Sequence, residues 1–136
     1  MSQPVVFDAS AILAFLQGEP GGDMVARALQ GNDCLVSAAN LAEVIAKSVD
    51  RGVTQDALQM ILRELALTVV EIKPEDGAVA GWMRAETRAL GLSLGDRLCL
   101  ALAQRLKAQV LTADRPWVGL AAVLVLDIVC IRPDAH

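Results

Sequence analysis

Histidine and aromatic residues are scarce in this sequence. The one histidine is His136, the last residue, so catalysis or metal binding by histidine is not expected. Tyrosine is absent, and tryptophan and phenylalanine supply two residues each. Basic residues number 12 against 16 acidic ones, which gives a net charge of −4. Nucleic-acid-binding proteins usually show a basic stripe or stacking aromatics. A nucleic-acid substrate would therefore need metal ions or a second subunit to offset charge repulsion.

Cysteine is also sparse, and its spacing matches no familiar framework. Cys34, Cys99 and Cys130 are an odd number, lie far apart and include no Cys-x-x-Cys pair. Each sits in an apolar run, which is typical of buried reduced thiols rather than disulfides or zinc ligands.

Long apolar segments are missing as well. The longest uncharged apolar run, residues 117–126, is half of the ~20 residues that span a bilayer. No basic segment leads into an apolar one at the N-terminus, so we expect no signal peptide. These features predict a cytoplasmic protein without a membrane anchor.

Hydrophobic residues nevertheless make up 54% of the chain, and segments with the pattern of a strand alternate with segments that have the pattern of a helix. Short apolar stretches predict strands at residues 4–7, 34–36, 67–72 and 109–112 and within 123–131. Helical patterns lie between them at residues 9–16, 23–29, 37–50, 54–65, 74–90 and 94–107. This alternation predicts an α/β fold, a parallel sheet covered by helices on both faces, in one domain over residues 1–136.

Polar residues mark the predicted helix starts. Ser10, Ser37, Thr54 and Ser93 stand where an N-cap is needed. Pro74 fits the first turn of its helix, where proline is tolerated.

Four acidic residues interrupt apolar sequence. Asp8 follows the first strand, and Glu43 lies in the helix after the second strand. Asp96 is in the first turn of the helix before the fourth strand, and Asp114 comes just after that strand. The carboxyl ends of parallel strands form one edge, at which α/β proteins bind ligands. We expect the four carboxylates to converge at this edge.

Such a pocket holds more acids than neighbouring bases. Arg97 and Arg115 could each neutralise one carboxylate, which would leave a net negative site. All-oxygen sites select Mg²⁺ or Mn²⁺. Carboxylate-held divalent ions bind phosphate and lower the pKa of bound water. Because the one histidine is the last residue and a Gly-x-x-x-x-Gly-Lys loop is missing, phosphodiester hydrolysis by metal-bound water is the simplest reaction. Ser10 and Thr112 would orient water or ligands.

Asp96 has a second interpretation. Ser93 and Asp96 fit the capping-box pattern, in which the acid accepts a hydrogen bond from the N–H of the cap residue. An acid in a first helical turn also suits the helix dipole. Considered alone, Asp96 is as well explained by capping as by function.

Four short segments together resemble one family. They are Asp8-Ala9-Ser10 after a strand, the segment Asn40-Leu41-Ala42-Glu43-Val44, the segment Gly91-Leu92-Ser93-Leu94-Gly95-Asp96, and Leu111-Thr112-Ala113-Asp114. In this order and spacing the chain resembles PIN-domain nucleases, and most closely the VapC-type toxins of bacterial toxin–antitoxin pairs. Each segment is a weak signal by itself, and the four together are a strong one.

The resemblance implies several properties. It implies a three-layer α/β/α fold with a five-stranded parallel sheet of order 3-2-1-4-5. It implies an endoribonuclease that depends on Mg²⁺ or Mn²⁺, forms a homodimer and is inhibited by a cognate antitoxin protein docked near the acidic pocket. It assigns metal binding and catalysis to Asp8, Glu43, Asp96 and Asp114, with Ser10 and Thr112 as polar neighbours.

Other residues have simpler explanations. Asp127 is best explained as a charge at a strand end, and Glu19 as a solvated turn residue that could approach the pocket. The spacing of Trp82 with neighbouring apolar residues favours core or dimer packing, whereas Trp117 could equally stack on a base.

Two non-catalytic alternatives remain at this point. One is a receiver-like module, another small α/β domain with an aspartate pocket and Mg²⁺, although the order of its motifs does not match. The other is a PIN fold that binds metal, RNA or protein without cleaving RNA.

Overall fold

The sheet lies at the centre of a computed structural model of the chain, which describes residues 3–132. Its order is β3-β2-β1-β4-β5, and every neighbouring pair is parallel. The strands are β1 (Pro4–Phe7), β2 (Asp33–Ser37), β3 (Thr68–Val70), β4 (Gln109–Thr112) and β5 (Ile128–Cys130). The predicted parallel sheet of order 3-2-1-4-5 is confirmed.

Helices fill the connections between the strands. The α-helices are α1 (Ala9–Leu16), α2 (Gly22–Gly31), α3 (Ala38–Asp50), α4 (Gln55–Glu64), α5 (Pro74–Trp82), α6 (Arg84–Thr87), α7 (Leu94–Leu106) and α8 (Ala121–Leu124). Two 3₁₀ segments, Arg88–Leu90 and Arg115–Leu120, complete the connections. No helix within residues 3–132 combines the length and the apolar character needed to cross a bilayer.

Two hydrophobic cores lie on opposite faces of the sheet, because successive strand residues point to opposite sides. On one face, Val6 of β1 packs with α5 and α7. On the other face, Val5 and Phe7 pack with α1, α2 and α3. Residues Leu98 to Ala103 of α7 are all buried, as a helix that is apolar all round requires. The arrangement is the predicted three-layer α/β/α fold.

The predicted N-cap residues are confirmed at three helices and wrong at one. Ser37, Thr54 and Ser93 accept hydrogen bonds from backbone N–H groups of their own helices. The cap of α1 is Asp8, not Ser10, because the Asp8 carboxylate accepts the Ala11 N–H at 2.8 Å. Both side chains are good caps, and the geometry after β1 places Asp8 in the extended conformation that a cap requires.

The helix expected over residues 74–90 is broken into three pieces. At this break the Met83 carbonyl accepts hydrogen bonds from both Thr87 Oγ1, at 2.8 Å, and the Thr87 N–H, at 3.0 Å. The last turn ends at Gly91, whose φ of 66° suits glycine. Trp82 closes α5 with 82% of its surface exposed, so core packing is the wrong explanation for it.

The cysteines are free thiols, with Cys34 and Cys99 buried and Cys130 half-buried. This agrees with the expectation of reduced thiols. His136 lies outside the described residues.

Candidate metal centre

Asp8 occupies the carboxyl end of the central strand β1, and only 2% of its surface is exposed. Its Oδ1 accepts hydrogen bonds from the Ala11 N–H and Ser10 Oγ, both at 2.8 Å. Its Oδ2 accepts from Thr112 Oγ1 at 2.6 Å and from Ser10 Oγ at 2.8 Å. The Asp8 carboxylate is therefore held by groups from the first turn of α1 and from the last residue of β4.

Burial dominates the electrostatics of this carboxylate. It raises the pKa of Asp8 to about 6, although the hydrogen bonds from Thr112, Ala11 and Ser10 act in the opposite direction. The nearby charge of Asp96 raises the pKa slightly further. Three hydrogen-bonding groups thus compensate only part of the penalty of burying this charge, and a cation beside the carboxylate would complete the compensation.

Ser10 and Thr112 also connect Asp8 to the loop after β4. Ser10 Oγ accepts the Ala113 N–H at 2.9 Å, and Thr112 Oγ1 accepts the Asp114 N–H at 3.0 Å. These bonds fix the backbone of Asp114 beside the buried carboxylate. The Asp114 residue itself is exposed to solvent.

Glu43 is positioned by Asn40, which is fully buried. Asn40 Nδ2 donates to Glu43 Oε1 at 2.9 Å and to the Gly95 carbonyl at 3.1 Å. Asn40 Oδ1 accepts from Ser37 Oγ at 2.7 Å. One amide therefore connects the start of α3, the Glu43 carboxylate and the first turn of α7.

No role was predicted for Asn40 from the sequence. The signal was present, because Ser37, Asn40 and Glu43 follow one another at the three-residue spacing that places helical side chains together. Asn40 is a positioning residue here, since it orients the carboxylate of Glu43.

Asp96 forms the capping box that the sequence predicted. Its Oδ2 accepts the Ser93 N–H at 2.9 Å, and its own N–H donates to Ser93 Oγ at 3.1 Å. Its Oδ1 accepts no hydrogen bond from residues 3–132 and belongs to a half-buried side chain. Capping uses one oxygen, so the other remains available for a further ligand.

The buried thiol of Cys99 shows how these acids are grouped. Burial raises the pKa of Cys99 well above its usual value, and the charges of Asp8, Asp96 and Glu43 raise it further. Three of the four predicted acids therefore lie near enough to this thiol for their charges to act on it. In the described part of the chain, however, no three acidic, cysteine or histidine side chains approach closely enough to form a ready metal cage.

The donors of this cluster fit Mg²⁺ or Mn²⁺ in their chemistry, because they are carboxylate oxygens. The charge of the Asp8 carboxylate is only partly compensated by its hydrogen bonds, which also favours a bound cation. Glu43 and Asp96 each already accept a hydrogen bond, from Asn40 and from the Ser93 N–H, so a metal ion bound by both would compete with these bonds.

The remaining sequence candidates lie elsewhere. Asp127 is exposed next to the first residue of β5, at the opposite edge of the sheet, and accepts from Gln109 Nε2 at 2.8 Å. Glu19 lies 4.0 Å from Arg132 in an ion pair. Trp117 is 1% exposed and cannot stack on a base.

Arg97 and Arg115, the two arginines predicted to neutralise acids, both donate hydrogen bonds to backbone carbonyls. The guanidinium of Arg97 donates to the Ala80 carbonyl at 2.9 Å, and none of the acids in residues 3–132 pairs with it. The second arginine, Arg115, donates a hydrogen bond to the Arg132 carbonyl at 2.9 Å.

Comparison with solved structures places the fold among known proteins. The chain is similar to a toxin–antitoxin complex from Klebsiella pneumoniae, with a TM-score of 0.74, 17% identity and coverage of 96% of this chain and 99% of that chain. It is also similar to VapBC-1 from nontypeable Haemophilus influenzae, with a TM-score of 0.68, 15% identity and coverage of 95% and 98%. For FitAcB from Neisseria gonorrhoeae the TM-score is 0.64, the identity 17% and the coverage 93% and 97%.

At these identities the structures establish the fold alone. No curated protein matches the sequence significantly. The model of the family described as PIN domain, in contrast, matches residues 5–122. Because this match covers most of the chain and the sheet has the expected order, the chain belongs to the PIN domain family.

Proposed function

We propose that this protein is a metal-dependent endoribonuclease that acts as the toxin of a toxin–antitoxin pair. The observation that carries the proposal is the buried Asp8 carboxylate, whose charge is only partly compensated and lies near Glu43 and Asp96. Membership of a nuclease family supports hydrolysis of a phosphodiester bond. The similar structures described as toxin–antitoxin complexes support the biological role.

In this proposal Asp8, Glu43, Asp96 and Asp114 hold Mg²⁺ or Mn²⁺. When bound, the ion would activate a water molecule and stabilise the charge that develops on the phosphate. Ser10 and Thr112 keep the Asp8 carboxylate in one orientation through short hydrogen bonds. Asn40 does the same for Glu43, and the loop bonded to Thr112 presents Asp114 to solvent, where a substrate enters.

The receiver-like alternative is wrong, because receiver modules have the sheet order 2-1-3-4-5 and this sheet has the order 3-2-1-4-5. A PIN fold that binds metal without catalysis is the remaining alternative. Incubation of single-stranded RNA with the protein and Mg²⁺ or Mn²⁺ distinguishes the two. We expect cleavage that stops with EDTA and returns with excess metal, whereas intact RNA under all conditions would refute the nuclease.

Replacing Gly95 with alanine is expected to displace the Glu43 carboxylate and to lower Mn²⁺ affinity about tenfold. A Cβ at position 95 would overlap Glu43 Oε1 and lie 2.8 Å from its Cδ, so this flexible side chain must move. Alanine favours a helix over glycine by about 1 kcal/mol, so the melting temperature should not fall. Calorimetric Mn²⁺ titration and thermal melts measure the two effects.

The matched control for this change is Gly81→Ala in α5, where a Cβ meets no atom within 4 Å. It is expected to leave Mn²⁺ affinity unchanged. Equal affinity in both variants would argue against Glu43 as a metal ligand.

A protein partner in the cytoplasm completes the proposed role. The similar toxin–antitoxin complexes support an antitoxin as that partner. An apolar groove between α3 and α4 offers it a surface. The groove has a volume of about 190 Å³, and the exposed Ile45 and Val49 line it together with Leu58 and Leu62.

We also propose a homodimer, with Trp82 at its interface. A tryptophan that is 82% exposed at the end of α5 leaves a large apolar surface in water, and tryptophan is enriched at interfaces. Light scattering at micromolar concentration should show a dimer for the wild type and a monomer for Trp82→Ser. Met60→Ser, at a 60% exposed position on α4, should remain dimeric. A monomeric wild type would contradict the proposal.

A further inference from the structure

A cleft of about 370 Å³ opens between α1 and α3 beside the buried carboxylate. Ser10 of α1 and Gln17 just after it form one wall, and Lys47 and Arg51 near the end of α3 form the other. Arg132, after β5, also contributes to the lining. The position between two packed helices gives these side chains a fixed backbone.

The cleft carries positive charge in a protein whose net charge is −4. Its lining holds three basic residues, Lys47, Arg51 and Arg132, against two acids, Glu19 and Asp50. Glu19 already pairs with Arg132 at 4.0 Å. Lys47 and Arg51 are exposed and form no ion pair with any residue between positions 3 and 132. Two cations are thus available to an anionic ligand.

Ser10 makes the cleft continuous with the candidate metal centre. Its hydroxyl lies 2.8 Å from both oxygens of Asp8, and the same residue lines the cleft. From Ser10 to Gln17, the C-cap residue of α1, the helix rises about 10 Å at 1.5 Å per residue. An extended anionic chain cut at Asp8 could therefore continue along the cleft past the basic residues.

We propose that this cleft binds the phosphate backbone of single-stranded RNA next to the cleaved bond, with Lys47 and Arg51 contacting phosphates. The proposal rests on the proposed endoribonuclease function and adds the path of the substrate. It also explains how an acidic protein with few aromatics holds RNA, since local positive charge replaces the basic stripe and stacking platforms that the sequence lacks.

The test measures RNA binding by fluorescence anisotropy for wild type, Lys47→Glu, Arg51→Glu and the control Lys107→Glu. The probe is a labelled single-stranded RNA of mixed sequence in EDTA, which prevents metal-dependent cleavage. Each charge reversal in the cleft is expected to weaken binding at least tenfold. It should also reduce the slope of log affinity against log salt by about 0.7 for each lost phosphate contact. Lys107→Glu makes the same charge change at the opposite edge of the sheet, and we expect binding close to wild type.

The outcomes separate this proposal from the function on which it rests. If wild type cleaves RNA but the cleft variants bind like Lys107→Glu, the path is wrong and the nuclease stands. If wild type neither binds nor cleaves RNA, both are overturned. If a polyglutamate peptide displaces the RNA at equal charge concentration, the cleft serves an acidic protein segment, and the RNA path is refuted.

Discussion

Asp8→Asn is expected to reduce metal-dependent cleavage of RNA by at least ~10²-fold. A metal ion supplies several kcal/mol of charge stabilisation in such reactions, and each 1.36 kcal/mol changes the rate tenfold. Asparagine has the shape of aspartate but lacks its charge and one of its two acceptor oxygens. The change therefore removes the proposed metal ligand, the carboxylate to which Ser10, Ala11 and Thr112 all donate hydrogen bonds.

The control for this experiment is Asp127→Asn. Asp127 is an exposed acid at the opposite edge of the sheet, bonded to Gln109. We expect cleavage rates within about twofold of wild type, because exposed charges far from a site have small effects. A fully active Asp8→Asn protein would refute the assignment of the metal centre.

The second large effect concerns stability without metal. Because the pKa of Asp8 is raised from 3.8 to about 6, the folded protein binds more protons than the unfolded chain between these values. Its stability should therefore fall as the pH rises from about 4 through about 6. This rise in the pKa of Asp8 corresponds to a loss of about 3 kcal/mol at pH 7. In EDTA, this loss should lower the melting temperature by roughly 10 °C.

Asp8→Asn should abolish this dependence, since asparagine does not titrate. In EDTA at pH 7.5 the variant should melt above wild type, and near pH 4 the two should differ little. In the proposed function Mn²⁺ binds only the folded site, so it should raise the wild-type melting temperature with concentration and leave that of the variant unchanged. If the melting temperatures of the two proteins changed in parallel with pH, Asp8 would not be the titrating group. A higher melting temperature also shows that lost cleavage is not lost folding.

Much of the fold follows from local pattern. Buried strands such as Pro4–Phe7 and Gln109–Thr112 are short apolar runs bounded by polar residues, and such runs have the same appearance in any parallel sheet. Ser37, Thr54 and Ser93 precede helical patterns, and capping depends only on neighbours three residues away. These features are encoded within a few residues, so the sequence predicts them correctly.

Other features depend on residues far apart in the chain. Asn40 donates a hydrogen bond to Gly95 across 55 positions, and Thr112 donates one to Asp8 across 104 positions. Trp82 and Trp117 have similar apolar neighbours in sequence, yet one is 82% exposed and the other 1%. Such differences arise from packing between elements, which periodicity cannot report.

The sequence by itself determined the fold class, the strand and helix pattern and the acids that interrupt apolar sequence. The tertiary structure decided which of those acids is buried and how each is positioned. Asp8 is the N-cap of α1 and is almost completely buried. Asp114 follows Thr112, the threonine that donates a hydrogen bond to Asp8, by only two residues, yet it is exposed to solvent. The physical reason is that burial, which raises the pKa of Asp8, depends on the helices packed against both faces of the sheet.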